Sequence, residues 1–397
     1  MRMPVRKKEG VANPTAEKIN AQFSTAAQPK ARVCMPTWSH FKNTASRCTL
    51  YEAQDVFADV DEVDLLPLEP GVVFQQREFW QRKLLARDFT KKLVYVNPGL
   101  QRIRLKQDYE LLVVMCQQWY ELLYLNAIEG WRDRCRVTVC WIDELWAAQI
   151  PRYRHWLHAL NQFDHIFVGM NGTAPVLAEA LGRPCHFMPS AVDVLRFSPY
   201  PSPPDRVIDV LSIGRKGDDI HRALLQLART REIFYVHDTV MDAGDNRLKD
   251  VREHRDLLAN MIKRSRFFTV APAKMGSLEE TCGQIEVGYR YFEGAAAGAV
   301  LIGQAPNCEA FRTNFDWPDA VIPVQPDGAD VCEILRSLGA QPELFLDISE
   351  RNAASAARRH DWMHRWQRVL EVAGMSPTTA FGRRAAELEA LAKAVHA

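Results

Sequence analysis

The segment 286–303 carries residue types that suit a phosphate and a sugar. Its sequence is EVGYRYFEGAAAGAVLIG, which predicts a short helix, a glycine stop and a buried strand. Gly288 and Tyr289 stand at the predicted helix start, where backbone N–H groups and the helix dipole favour an anion. Glu293 lies one turn further in, where a buried carboxylate needs hydrogen-bond donors such as ribose hydroxyls. The alternatives are a plain turn glycine at Gly288 and an exposed surface carboxylate at Glu293.

A basic loop follows the predicted strand 208–213. Gly214, Arg215 and Lys216 stand where that strand ends. Cations at this position would neutralise a diphosphate leaving group as its bond breaks, with Arg suited to bidentate contact and Lys to a point-charge contact. A solvated loop is the simpler alternative. Lys274 follows the strand 267–270 and is a weaker candidate for the same ligand.

Two further positions in the second half allow more than one interpretation. Arg290, within the predicted helix of 286–303, either projects toward a cleft or solvates a helix face. His237 and Asp238 end the strand 233–236 and could approach a nucleotide base. A turn built on Asp238 accounts for that pair more simply.

The first half offers candidate acid–base side chains. Asp143 and Glu144 follow the predicted strand 137–142, where either could orient a hydroxyl group or act as a general base. The competing interpretation, slightly favoured, is a helix N-cap at Asp143 with Glu144 in the first turn. His40 stands in the loop after the first strand and is a candidate catalytic residue at the same edge of the sheet. A merely solvated loop histidine is the alternative.

Alternating strands and helices must position these residues. Strands separated by helices predict parallel sheets in both halves of the chain, with ligands beyond the carboxyl ends of the strands. The predicted strands are 32–35, 63–66, 109–116, 137–142, 163–168 and 185–188, then 208–213, 233–236, 267–270, the strand that ends the segment 286–303, and 320–324. The predicted helices include 46–58, 78–92, 117–128, 153–160, 173–181, 221–228 and 256–262, and the chain from 329 onward is almost wholly helical.

Composition narrows the class of protein. The 397 residues predict two domains, and the net charge of +1 gives no footprint for nucleic acid or an anionic membrane. Nine cysteines without a Cys-x-x-Cys pair indicate reduced, buried thiols in a cytoplasmic protein. Cys135 and Cys140 could be metal ligands, but they lack a second pair at zinc spacing. No apolar run is long enough to span a bilayer. We find no motif of P-loop NTPases, dinucleotide-binding dehydrogenases or serine hydrolases.

Three segments in order resemble those of nucleotide-sugar-dependent glycosyltransferases with the GT-B fold. They are FMPSAVDVLRFSP at 187–199, DVLSIGRKG at 209–217, and 286–303. The chain is similar to the group 1 transferases and the related spore-maturation-protein-like branch. One departure is that Glu286 and Glu293 have six residues between them where the family commonly has seven, so Ile285 falls at the first Glu position. The role of Glu286 and the stereochemical outcome stay open.

The resemblance implies an organisation and a function. It implies two Rossmann-like, doubly wound α/β domains facing across a cleft, and transfer of a sugar from a nucleoside-diphosphate sugar to an unidentified hydroxyl acceptor. It implies no cofactor and no bound metal. Alternatives are an epimerase or phosphorylase on the same fold, or a non-catalytic binding scaffold. The predicted parts are a disordered basic leader (1–30), an acceptor domain (31–196), a linker (197–207), a nucleotide-sugar domain (208–375), and a C-terminal helix that packs back on the first domain (376–397).

Overall fold

Parallel strands form the frame of the protein in the computed structural model, which describes residues 31–85, 88–153, 156–239 and 247–395. The predicted leader, 1–30, lies outside the described residues. The strands are β1 (Val33–Thr37), β2 (Val63–Pro67), β3 (Ile103–Arg104), β4 (Tyr109–Cys116), β5 (Ile128–Glu129), β6 (Cys135–Ile142), β7 (His165–Val168), β8 (His186–Phe187), β9 (Ile208–Ser212), β10 (Tyr235–His237), β11 (Ser265–Val270), β12 (Val300–Gly303) and β13 (Ile322–Pro323).

Two larger sheets divide these strands at residue 200. The first has the order β2-β1-β4-β6-β7-β8 and the second the order β10-β9-β11-β12-β13, while β3 and β5 pair separately. Within the described residues, every pairing between these strands is parallel. The prediction of two parallel sheets is therefore confirmed.

Helices connect the strands and cover the sheets. The α-helices are α1 (Cys48–Val60), α2 (Phe74–Leu84), α3 (Ile150–Tyr153), α4 (Leu157–Leu160), α5 (Ala174–Leu181), α6 (Val194–Phe197), α7 (Asp218–Arg229), α8 (Val251–Lys263), α9 (Leu278–Thr281), α10 (Tyr289–Ala296), α11 (Glu309–Asn314), α12 (Val331–Gly339), α13 (Pro342–Arg359), α14 (Trp362–Val372) and α15 (Thr379–Ala394). The 3₁₀ helices span Ala45–Arg47, Asp88–Tyr95, Trp119–Ala127, Ala147–Gln149 and Asn171–Thr173.

The predicted helices 78–92 and 117–128 differ from the structure in helix type as well as in bounds. The predicted helix 78–92 is α2, which begins four residues earlier, followed by the 3₁₀ helix Asp88–Tyr95. The buried face of α2 includes Glu78 and Gln81, so apolar periodicity does not mark its bounds. The predicted helix 117–128 is the 3₁₀ helix Trp119–Ala127, whose first turn is closed by a capping box between Gln118 and Glu121.

The last two helices pack against α1, beside the first sheet. Trp366 of α14 stacks on Phe57 with ring centroids 4.3 Å apart, and its indole N–H donates to the Ala53 carbonyl at 2.9 Å. The Thr378 hydroxyl, at the N-cap of α15, donates to the Val60 carbonyl at 2.5 Å. One apolar cluster continues from Phe57 through this region to Phe268 of the second sheet. The two sheets therefore share a core on this side of the molecule.

Candidate functional site

A cavity of about 1540 Å³ lies between the carboxyl ends of the two sheets. Its first wall is formed by chain that follows β1, β2, β4 and β6, within the ranges 40–47, 70–82, 117–120 and 144. Its second wall follows β9, β10 and β11, at 214–216, 238 and 274. Arg247 also contributes. Ligands of parallel α/β sheets bind beyond the carboxyl ends of the strands, so this cavity is the candidate site.

Six of the eleven residues predicted for the site line this cavity. They are His40, Glu144, Gly214, Arg215, Lys216 and Lys274. In the described part of the chain, the cavity wall does not include the other five, which are Asp143, Gly288, Tyr289, Arg290 and Glu293. The structure thus brings the cations at the strand ends of the second wall together with His40 and Glu144 of the first wall. The predicted phosphate and sugar contacts within the segment 286–303 do not line the cavity.

The cavity is far more basic than the chain as a whole. Among the described residues, seven Lys and Arg side chains line it against three carboxylates. The cations are Lys42, Arg47, Arg82, Arg215, Lys216, Arg247 and Lys274, and the carboxylates are Glu78, Glu144 and Asp238. Positive potential in a cleft attracts an anionic ligand. Sequence analysis missed four of these cations because they are dispersed among segments that only the fold brings together.

The basic loop after β9 is organised by Asp238. Gly214, at φ +84°, donates its N–H to the Asp238 carboxylate at 2.7 Å. Lys216 Nζ lies 2.6 Å from the other carboxylate oxygen and 3.0 Å from the Asp238 carbonyl. Arg215 Nη1 donates to the Ser277 hydroxyl at 2.7 Å. Asp238 therefore fixes the neighbouring strand's loop, which is a different role from the local turn predicted for it.

Lys274 connects the two walls of the cavity. Its Nζ lies 3.0 Å from Glu144 Oε1 on the first wall and 2.8 Å from Glu280 Oε2 on its own side. Partial burial would lower the Lys274 pKa, but the hydrogen bonds and charges of Glu280 and Glu144 raise it. Its φ of 53° is a left-handed backbone that a residue with a side chain seldom adopts. Such backbone strain is concentrated at functional sites.

Asp143 connects the two lobes of the protein, each of which contains one of the two larger sheets. It does not cap a helix. The Tyr289 hydroxyl, at the start of α10, donates a short hydrogen bond to Asp143 Oδ2. Burial raises the pKa of Asp143 to about 7, and the hydrogen bond from Tyr289 opposes that rise. The next helix begins at Ala147 with Trp146 at its N-cap, so the N-cap prediction for Asp143 is wrong. Tyr289, predicted to offer its backbone to phosphate, also uses its hydroxyl to connect the lobes.

Gly169 permits the close approach of the chain to Asp143. A Cβ at Gly169 would lie 2.5 Å from the Asp143 carbonyl oxygen, which is backbone and cannot move aside cheaply. We expect Gly169→Ala to lower the free energy of unfolding by about 1–3 kcal/mol because of this overlap. Urea denaturation followed by circular dichroism measures it. The matched control is Gly382→Ala, where nothing lies within 4 Å of the added methyl, and this helix-interior change should not destabilise the protein. Equal stability of the two variants would contradict the proposed contact.

Glu293 is buried in an ion-pair network and does not face the cavity. Its side chain is paired with the guanidinium groups of Arg255 and Arg290 through separate carboxylate oxygens. Burial alone would raise the Glu293 pKa, but the two arginines hold it at about 2. Arg290 also donates from Nε to the Ile213 carbonyl at 3.1 Å. Both carboxylate oxygens of Glu293 already have donors from the protein, and its predicted ribose contact stays a prediction.

The structure gives Glu286 a role that its spacing from Glu293 in the sequence left open. Its carboxylate accepts from the backbone N–H groups of Asn171 at 3.1 Å and Gly172 at 2.8 Å. The Gln284 side chain donates to it at 2.6 Å. Glu286 therefore holds the start of a 3₁₀ helix in the first lobe. Gly288 is the N-cap of α10 and no side chain caps that position, so its predicted phosphate contact stays a prediction.

Comparisons with known proteins agree with this architecture. Residues 225–371, less than half of the chain, match the family model described as glycosyl transferase-like. An α-glucosyltransferase in complex with UDP-glucose and DNA containing an abasic site is similar in structure, at 13% identity and a TM-score of 0.53 over 86% of this chain and 99% of that one. An α-glucosyltransferase in complex with UDP matches with 13% identity and a TM-score of 0.52, over 87% and 100%. No curated protein matches the chain. The predicted GT-B fold is confirmed.

Within the ranges the structure describes, no helix combines the length and apolar character needed to cross a membrane. In the same ranges, no group of three or more His, Cys, Asp and Glu side chains is placed to hold a metal ion.

Proposed function

We propose that the protein transfers a sugar from a nucleoside-diphosphate sugar to a hydroxyl acceptor. The observation that carries this proposal is the basic cavity between two parallel sheets, with Arg215, Lys216 and Lys274 at strand ends of the second sheet. The glycosyl transferase-like segment 225–371 supports this proposal, because the segment contains strands β10 to β13 of the second sheet together with helix α10. The similar structures bind UDP and UDP-glucose, which supports a uridine nucleotide as the first donor to test.

The donor diphosphate is held by the second wall in this proposal. Arg215 and Lys216 contact the pyrophosphate and stabilise the charge that develops on it as the sugar departs. Lys274 exchanges its partner Glu144 for a phosphate oxygen, and the backbone of Gly288 and Tyr289 contributes N–H groups. Because these cations supply the positive charge, we propose that transfer needs no metal or other cofactor. Chelation by EDTA should then leave the rate unchanged.

The acceptor is held by the first wall. His40 lies in this wall with its Nε2 3.1 Å from Glu69 Oε2, a partner that sequence analysis did not identify. We propose His40 as the general base for the acceptor hydroxyl and Glu69 as its positioning residue. Glu144 orients the acceptor once Lys274 contacts the donor.

Arg215→Ala and Lys216→Ala should each weaken binding of UDP-glucose about 10- to 100-fold. A charge-assisted hydrogen bond contributes about 1.5–3 kcal/mol, and each variant removes at least one. Isothermal titration calorimetry measures the dissociation constant. The matched control is Arg222→Ala, an exposed arginine of α7 that pairs with Asp219 and does not line the cavity. Wild-type protein that binds neither a nucleotide sugar nor a free nucleoside diphosphate would contradict the proposed function.

A non-catalytic scaffold is the second candidate, and one observation favours it. Glu286 and Glu293, the pair that resembles the family's site, are both engaged by protein donors. The same calorimetry discriminates, because a scaffold would bind no nucleotide. Product analysis with and without an acceptor separates a transferase from an epimerase or phosphorylase of the same fold.

Two finer assignments belong to the same proposal. Placement among the group 1 transferases or the spore-maturation-protein-like branch is supported by the three resembling segments. A cytoplasmic location is supported by the nine cysteines, which are all free thiols.

A further inference from the structure

The exposed face of α2 carries large apolar side chains beside the cavity. Phe79 is 50% exposed and Trp80 is 59% exposed, and Val72, just before the helix, is fully exposed. Leu84 continues the same stripe one turn after Trp80. Val72 and Arg82 also line the cavity, so this face reaches the cavity mouth. We call Val72, Arg77, Phe79, Trp80, Lys83 and Leu84 the α2 patch.

Polar contacts on the opposite face of α2 fix this orientation. Glu78 is buried and accepts hydrogen bonds from Lys42 at 3.1 Å and from the Tyr124 hydroxyl. Gln81 is buried and donates to the carbonyls of Leu93 at 2.7 Å and Val96 at 2.8 Å. Beside Phe74, the helix thus buries two polar residues, and it exposes two aromatic ones, which an ordinary amphipathic helix would bury. The exposed aromatic face needs an explanation outside the core.

The α2 patch is also cationic. Its residues Arg77 and Lys83 are exposed, as is Arg82 beside the patch, while Glu78, the one carboxylate in the α2 sequence, is buried on the other face. Lys83 Nζ lies 4.3 Å from the centroid of the Phe79 ring. The net charge of +1 for the whole chain conceals this local excess. An apolar surface surrounded by cations is complementary to a surface that is apolar beneath anionic groups.

We propose that the α2 patch docks on an anionic lipid surface. Trp, Phe and Leu beside Lys and Arg are the side chains that interfacial helices insert at the boundary of head groups and acyl chains. The observations favour lipid over nucleic acid, because aliphatic Val72 and Leu84 cannot stack on bases and Lys83 covers the Phe79 ring. Docking places the mouth of the cavity at the membrane. This inference does not depend on the proposed function.

Co-sedimentation with vesicles tests the proposal on the full-length protein. We expect binding to phosphatidylcholine vesicles that contain phosphatidylglycerol, and we expect it to weaken with added salt because salt screens the attraction between basic residues and anionic head groups. F79S/W80S and R77E/K83E should each lower the partition constant of the protein onto the vesicles about tenfold or more. The matched control is L257S/L346S, which removes two apolar side chains that are similarly exposed on α8 and α13 and should bind like the wild type.

Three results would overturn this inference. The first is no sedimentation of wild-type protein with the anionic vesicles. The second is tighter binding to a single-stranded oligonucleotide that F79S/W80S abolishes. The third is self-association in analytical ultracentrifugation that the same variant abolishes. Thermal unfolding shows whether each variant is folded, and since all substituted residues are exposed we expect unchanged midpoints. Calorimetry with UDP-glucose on the same variants reports the donor site separately, so failure of one proposal leaves the other testable.

Discussion

Arg255→Met is expected to lower the free energy of unfolding by about 3–5 kcal/mol. Arg255 on α8 has a side chain that is only 3% exposed, and it lies between the carboxylates of Glu52 on α1 and Glu293 on α10. Removing the guanidinium group leaves two buried carboxylates without this partner. Loss of one partner of a buried ion pair typically lowers the free energy of unfolding by about 3–5 kcal/mol. Urea unfolding followed by circular dichroism measures the change.

The contacts of Glu52 explain why this pair matters to both lobes. Glu52 receives Arg255 Nε at 2.7 Å and Nη2 at 3.0 Å. It also accepts from the Asp193 backbone N–H at 2.8 Å and from the Trp362 indole at 3.1 Å. Helices from both lobes and the end of the first lobe thus meet at one carboxylate. Burial raises the Glu52 pKa against the opposing charge of Arg255, so loss of that charge favours a protonated, weaker acceptor.

Arg252→Met is the matched control for Arg255. It lies on the same helix and also reaches α1, where its guanidinium group is 2.6 Å from Asp55, but its side chain is 64% exposed. An exposed pair contributes at most about 1 kcal/mol. If both variants lose the same stability, burial is not what makes the Arg255 network important.

Strands were predictable from local sequence because burial on both faces leaves a continuous apolar run. Tyr109–Cys116 is predicted and observed with the same bounds, and it lies at the centre of the first sheet. Position at strand ends is likewise local, which is why Arg215, Lys216 and Lys274 were identified and do line the cavity. The bounds of α2 were not predictable, since its buried face depends on Tyr124 and on the segment 93–96.

Partners distant in sequence account for what was missed. Glu293 was predicted to need donors, which is correct physics, but the donor Arg255 lies 38 residues earlier and no local pattern indicates the pairing. The same holds for Glu69, which lies 29 residues from His40 and contacts it only because β1 and β2 are adjacent and parallel. Local sequence identifies residues that can do chemistry, whereas the sheet order decides which of them meet.

His40→Asn is expected to lower kcat about 10²- to 10⁴-fold, the usual contribution of a general base. Because the Glu69 carboxylate lies 3.1 Å from Nε2, it favours the proton on that nitrogen and leaves Nδ1 as the basic one. Asn keeps polarity and similar size but cannot take a proton at neutral pH. The readout is release of nucleoside diphosphate from the donor identified by calorimetry, with water as the acceptor.

Glu69→Gln and three further variants test the assignment of His40. Because Glu69 positions His40 and does not touch the donor in this proposal, Glu69→Gln should lower kcat about tenfold and leave the donor KM unchanged. His158→Asn, which replaces an exposed histidine of α4, should change neither constant. Asp143→Asn and Glu144→Gln are the rivals. If either costs more kcat than His40→Asn at equal stability, the base lies on the strand end after β6, and His40 only lines the acceptor wall.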